Sequence, residues 1–107
     1  MTSTAAIRIS KRVSDALSAH QPVVALESTV VTHGLPRPRN LEAAKAVEAV
    51  VVDAGAVPAT IGIIGGELIV GLEPEELTYL AQADAEKASL WNLASIVARK
   101  ADGGTTV

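Results

Sequence analysis

The sequence predicts an α/β protein, read as the incomplete N-terminal part of a larger α/β domain with a mixed sheet and flanking helices. Segments of helical periodicity alternate with short runs rich in valine, isoleucine and threonine. The longest such run, Val23 to Thr32, lacks apolar–polar alternation, as in a parallel strand covered on both faces. Proline and glycine punctuate the joins between these segments.

Ser10 is placed as the N-cap of a first helix, with Val13, Ala16 and Leu17 on one face. His20 falls at its C-terminal end, where the helix dipole favours an imidazolium, and Pro22 stops it. A strand follows through Val23–Leu26 and Ser28–Thr32, interrupted by Glu27. The stretch from His33 to Arg39 holds Gly34, Pro36 and Pro38, so it reads as a shaped loop. Asn40 is placed as the cap of a helix from Leu41 to Ala54, with Leu41, Ala44, Val47, Val51 and Ala54 on its apolar face and Gly55 beyond its end.

Ala59 to Ile64 reads as a second strand, and Gly65-Gly66 as a hairpin turn into Glu67–Val70. Pro74, with Glu73, Glu75 and Glu76 at the positive end of the dipole, opens a helix that buries Leu77, Leu80 and Ala81 and turns Tyr79 away. A last helix spans about Asn92 to Arg99 and buries Leu93, Ile96 and Val97. Asp102 to Val107 has the form of a turn entering another element. Two or three strands are few for a sheet covered on both faces, so further polypeptide or a partner chain is expected to complete it.

Composition narrows the function classes. A length of 107 residues fits one domain, residues 1–107. A hydrophobic fraction of 49% with a net charge of −3 excludes a disordered chain. The absence of cysteine excludes a disulfide scaffold and fits a cytoplasmic setting. No membrane partner is expected: the N-terminus has no long apolar core, and the apolar stretch Val57–Leu72 is broken by Pro58 and glycines and carries Glu67. No nucleic-acid partner is expected either, with 9 basic residues against 12 acidic ones and only Tyr79 and Trp91 to stack on bases.

Glu27 is the first candidate for chemistry. Set between VVAL and STVV, its carboxyl either sits at a solvated strand end or is desolvated, and desolvation raises a carboxyl pKa toward that of a general acid. His33 suits either acid–base work or the holding of a loop by hydrogen bonds. Arg37 and Arg39 either hold an anion or are solvated charge. Lys87, on its own, reads as a surface lysine. Gly103-Gly104-Thr105-Thr106 offers N–H groups and hydroxyls of the kind that cradle phosphate, without matching a P-loop or dinucleotide fingerprint. No set of histidine and cysteine has zinc-ligand spacing.

The blocks VVALESTVVTHGLPRPRN, GAVPATIGIIGGELIVGLEPEEL and DGGTTV, in that order and spacing, resemble the pseudouridine-5′-phosphate glycosidase family, also called indigoidine synthase A-like, from about Ser14 to Val107. The resemblance implies reversible cleavage of the carbon–carbon glycosidic bond of a small phosphorylated C-nucleoside, pseudouridine 5′-phosphate, to uracil and ribose 5-phosphate. It gives Glu27, in ALEST, the role of proton donor, and makes Lys87 and Val107 substrate contacts. It also implies a divalent metal, usually manganese, and a homotrimer. The family's covalent lysine, its metal-binding aspartate and a further substrate segment correspond to positions beyond residue 107. The chain alone is therefore expected to be inactive. The alternative is a truncated module that binds a sugar phosphate, or a partner, without catalysis.

Overall fold

A computed structural model of the chain describes residues 7–105. The elements run β1 (Ile7–Ile9), α1 (Lys11–Ser18), β2 (Val23–Leu26), a π-helical turn (Val30–Gly34), α2 (Arg39–Asp53), β3 (Val57–Ile64), β4 (Glu67–Val70), α3 (Pro74–Gln82), β5 (Glu86–Lys87), α4 (Leu93–Ala98) and β6 (Gly103–Gly104). The α/β class and the mixed sheet stand as expected. The sheet has six strands among the described residues rather than two or three, because the short β1, β5 and β6 join it. Strands of two or three residues leave no periodicity to read.

β3 organises the sheet. The β3–β4 hairpin pairs Ile61 with Val70 and Ile64 with Glu67. Its turn puts Gly65 and Gly66 at φ +59° and +83°, where a side chain is strained. β2 runs parallel to β3 from Val23–Val57 to Leu26–Thr60, and α2 makes the crossover between them. β6 runs antiparallel to β3, Gly104 opposite Gly62, and β5 lies parallel to β6, Lys87 opposite Gly104. β1 pairs in parallel with β4 at the far edge, where Arg8 bridges the carboxylates of Glu67 and Glu76.

Apolar side chains fill both faces of this sheet. Val31, Ala44, Ile69, Leu72, Leu77 and Leu80 pack with Ile64 on one face; Ile63, Ala88 and Ile96 pack on the other. Gly62 lets α3 approach the first face closely, since a Cβ there would lie 2.8 Å from Leu80 Cδ2. α1 is capped by Ser10, whose Oγ accepts from Val13 N, and buries Val13 and Ala16, but Leu17 faces solvent. In α3 the Glu73 and Glu76 side chains form a reciprocal capping box ahead of Pro74, and Leu77, Leu80 and Ala81 are buried as expected. α4 buries Ile96 as expected, with Leu93 and Val97 half-buried.

Two segments differ from expectation. Ser28–Thr32 is not strand: β2 stops at Leu26, and the chain enters the π-helical turn. The β3 edge beyond Thr60 is taken by β6, so a longer β2 has nothing to pair with. β2 is also not covered on both faces, since Val24 and Ala25 are exposed. The second difference is Asn40. α2 begins at Arg39, Pro38 holds the cap position, and the Arg37–Pro38 peptide is cis. Asn40 lies inside the helix, buried, and its Nδ2 donates to the carbonyls of Val31 and Ala81, each at 2.8 Å. It ties the π-helical turn to α3. Much of α2's expected apolar face stays open, with Ala44 buried but Val47 and Ala54 exposed. Among the described residues no helix is long and apolar enough to cross a membrane.

Candidate functional site

The C-terminal ends of β2, β5 and β6 converge. β2 ends opposite Thr60 and β6 opposite Gly62, so the two strands approach Ile61 from opposite directions. Thr105 joins them: its carbonyl accepts the N–H groups of Ser28 and Thr29, each at 3.0 Å, and the Thr29 hydroxyl at 2.9 Å. In return Thr105 N donates to Ser28 Oγ at 2.9 Å, and Thr105 Oγ1 donates to the Ile61 carbonyl at 2.6 Å. From the other side, Ala88 N donates to the Gly104 carbonyl at 2.8 Å. Glu27 and Lys87 are thus each one residue away from a residue bonded to the Gly104–Thr105 segment.

Glu27 stands at the solvated strand end, the other of its two readings. Its side chain is exposed. It lines a cleft of about 290 Å³ with Leu26, Val30, Ala44, Val47 and Thr60. The cleft has one apolar wall from α2, and Thr60 Oγ1 donates to Glu48 at its floor. Lys87 is exposed on the edge strand, and its carbonyl accepts from Asn92 Nδ2 at 3.0 Å. Among the described residues neither Glu27 nor Lys87 has an ion-pair partner. A second cleft of about 580 Å³ opens beyond Lys87, lined by Ile61, Leu68, Ala88 and Thr105 with the exposed Trp91 at its rim. Val107 lies outside the described residues.

The other candidates have structural duties. Arg37 donates from Nε to the Ala81 carbonyl at 3.1 Å and from Nη2 to the Gln82 carbonyl at 2.6 Å. It closes the C-terminus of α3 and is neither a free anion site nor bare solvated charge. His33 shares a 2.7 Å hydrogen bond between Nδ1 and Thr32 Oγ1, which favours the loop-holding reading. Gly103 and Gly104 do not cradle phosphate; they are strand, and a Cβ at Gly104 would collide with the Thr32 side chain. The Thr105 hydroxyl is already committed to the Ile61 carbonyl.

Sequence reasoning missed Ser28 and Asn92, and gave the Thr105 hydroxyl to an anion where it bonds the Ile61 carbonyl. The one available signal was the Ser28-Thr29 pair beside a valine run, since a buried hydroxyl must find partners. Among the described residues no three His, Cys, Asp or Glu side chains gather as a metal site. The manganese implied by resemblance has no donor set among the described residues.

Comparisons with known proteins agree with this geometry. The chain is 56% identical over 102 residues to a pseudouridine-5′-phosphate glycosidase of Salinispora tropica, covering 94% of the chain and 32% of that protein. A pseudouridine-5′-phosphate glycosidase of Thermus thermophilus is 58% identical over 87 residues, 81% of the chain and 31% of that protein. Among solved structures, the prealnumycin C-glycosynthase AlnA in complex with ribulose 5-phosphate matches with a TM-score of 0.79 at 38% identity, covering 94% of this chain and 32% of that one. An indigoidine synthase A-like protein of Thermotoga maritima matches with a TM-score of 0.79 at 29% identity, over 100% of this chain and 35% of that one. The chain spans about a third of the length of the relatives it matches. The family model described as indigoidine synthase A like protein matches residues 12–107, and with the fold and both sets of relatives in accord the chain belongs to that family.

Proposed function

We propose that the chain carries the proton-donor portion of a pseudouridine-5′-phosphate glycosidase site. The observation that carries this reading is the convergence of the β2, β5 and β6 ends through Thr105, which brings the segments of Glu27 and Lys87 onto one stretch of backbone. The names of the relatives supply the substrate class.

Cleavage of a C-nucleoside with water breaks the bond between the sugar C1′ and the base C5. The bonding pair stays on C5, which must gain a proton to leave as uracil. Opening of the ribose ring needs a proton on the ring oxygen as well. Glu27 is assigned to donate a proton in this sequence, and to take it back in the reverse direction. Cover over its carboxylate comes, in this reading, from the bound substrate. The Lys87 ammonium faces the phosphorylated sugar, where an unpaired cation is favoured by the dianion. Val107 contacts the substrate from the segment after Thr105. C1′ loses the bonding pair and takes the hydroxyl of the water, and its electron deficiency calls for a lone-pair donor that the chain's proton donor does not provide. Manganese, a homotrimeric assembly and a cytoplasmic setting belong to the same proposal, with the metal held outside the described residues.

The test is incubation of the complete gene product with pseudouridine 5′-phosphate while free uracil is measured. Release of uracil supports the enzyme. Binding of ribose 5-phosphate by calorimetry without uracil release would replace it with a sugar-phosphate-binding module, the reading that the open Glu27 favours. Neither uracil release nor binding would end both.

A further inference from the structure

We propose that Asn92 is a positioning residue for Lys87; this rests on the reading of Lys87 as a contact to the phosphorylated sugar. Asn92 occupies the cap position of α4, where an asparagine side chain ordinarily accepts from its own helix's N–H groups. Here it makes no such bond and faces back toward the sheet. Its Nδ2 donates to the Lys87 carbonyl at 3.0 Å, and its Oδ1 accepts from Ser89 N at 2.7 Å and Ser89 Oγ at 3.2 Å. Donor and acceptor of one amide therefore bracket the backbone from Lys87 to Ser89.

Other contacts hold the residues on either side of Lys87, and its own carbonyl is held by Asn92. β5 has two residues and lies at the sheet edge. The tip of the β5–α4 connection has no packing to steady it, with Leu90 96% and Trp91 97% exposed. Glu86, the residue before Lys87, is fixed by a two-pronged pair with Arg99 at 2.7 and 2.9 Å. Ala88, the residue after, is fixed by its N–H on Gly104. The Ser89 carbonyl accepts Asn92 N at 3.3 Å and Leu93 N at 2.9 Å, and the Asn92 side chain adds a constraint on the Lys87 carbonyl itself. A long lysine stem amplifies any rotation of its own backbone, so this bond sets where the ammonium points.

The test is calorimetric titration of the complete gene product with ribose 5-phosphate, in the parent and in Asn92→Ala, Asn92→Asp and Lys87→Ala, with melting temperatures alongside. Asn92→Asp keeps the acceptor for Ser89, loses the donor to Lys87 and adds a negative charge. Affinities are therefore compared at high salt, where repulsion of the phosphate by that charge is screened and a positioning loss remains. The expected result is a dissociation constant raised about tenfold in both Asn92 variants, the loss of roughly one such bond. Asn92→Asp should melt close to the parent. Parent-like affinity in Asn92→Asp, with weakening and a lowered melting temperature only in Asn92→Ala, would assign Asn92 a merely structural role and overturn the proposal. Parent-like affinity in both, with Lys87→Ala weakened, would overturn it and leave the Lys87 reading intact. Unchanged affinity in Lys87→Ala, or no binding by the parent, would overturn the Lys87 reading and the proposal together.

Discussion

Ser28 and Thr105 exchange hydrogen bonds in both directions: Ser28 N–H donates to the Thr105 carbonyl at 3.0 Å, and Thr105 N–H donates to Ser28 Oγ at 2.9 Å. Ser28 is fully buried, so no water can replace its hydroxyl. Ser28→Ala leaves the Thr105 N–H without its partner and should cost about 1–3 kcal/mol of stability. Urea denaturation of parent and variant measures it. An unchanged midpoint would show that the two strand ends are held by something else.

Asn40 predicts a loss of similar size. Its Nδ2 serves the Val31 and Ala81 carbonyls together, in a buried setting. Asn40→Asp puts an acceptor against two acceptors and should destabilise by about 2–4 kcal/mol, more than one lost neutral hydrogen bond. Thermal unfolding followed by circular dichroism reads the difference.

Gly62→Ala tests the approach of α3 to the sheet. The added methyl would lie 2.8 Å from Leu80 Cδ2 and 3.2 Å from Leu72 Cδ1. Overpacking of that kind costs about 1–3 kcal/mol. Pairing it with Leu80→Val should recover part of the loss, which a double-mutant cycle would register.

How much of this was legible in advance follows from where each element's partners lie. α3 was readable because its signals are local: Pro74, the flanking glutamates and the Leu77–Leu80–Ala81 spacing all sit within one helix. The Gly65-Gly66 hairpin was readable for the same reason. Ser28–Thr32 was misread as strand because its conformation is set by Thr105, a residue far along the chain, against the local preference of its valines and threonines. Arg37 and Asn40 look from sequence like a free cation and a helix cap; both are spent on α3 carbonyls that only the fold brings near. The exposure of Glu27 follows from β2 pairing, among the described residues, with β3 alone, which its apolar run disguised.

The Glu86–Arg99 pair gives a pH prediction. The Arg99 guanidinium, hydrogen-bonded to the Glu86 carboxylate, holds that carboxyl below its ordinary value. Because the folded value is the lower one, the pair's contribution is present above the unfolded pKa and is lost as pH falls through the folded pKa. The pair is solvated, so the effect on stability is small. Carboxyl carbon NMR titration should place Glu86 below an unpaired exposed glutamate, and Arg99→Ala should return it to the ordinary range.

We propose Glu27, at the convergence of the strand ends, as the proton donor in C-nucleoside cleavage. The most direct measurement is uracil release from pseudouridine 5′-phosphate by the complete gene product carrying Glu27→Gln, with ribose 5-phosphate affinity measured beside it. Loss of a general acid predicts a rate about 10²–10⁴-fold lower at nearly unchanged affinity. Uracil released by Glu27→Gln at the parent rate would contradict the account.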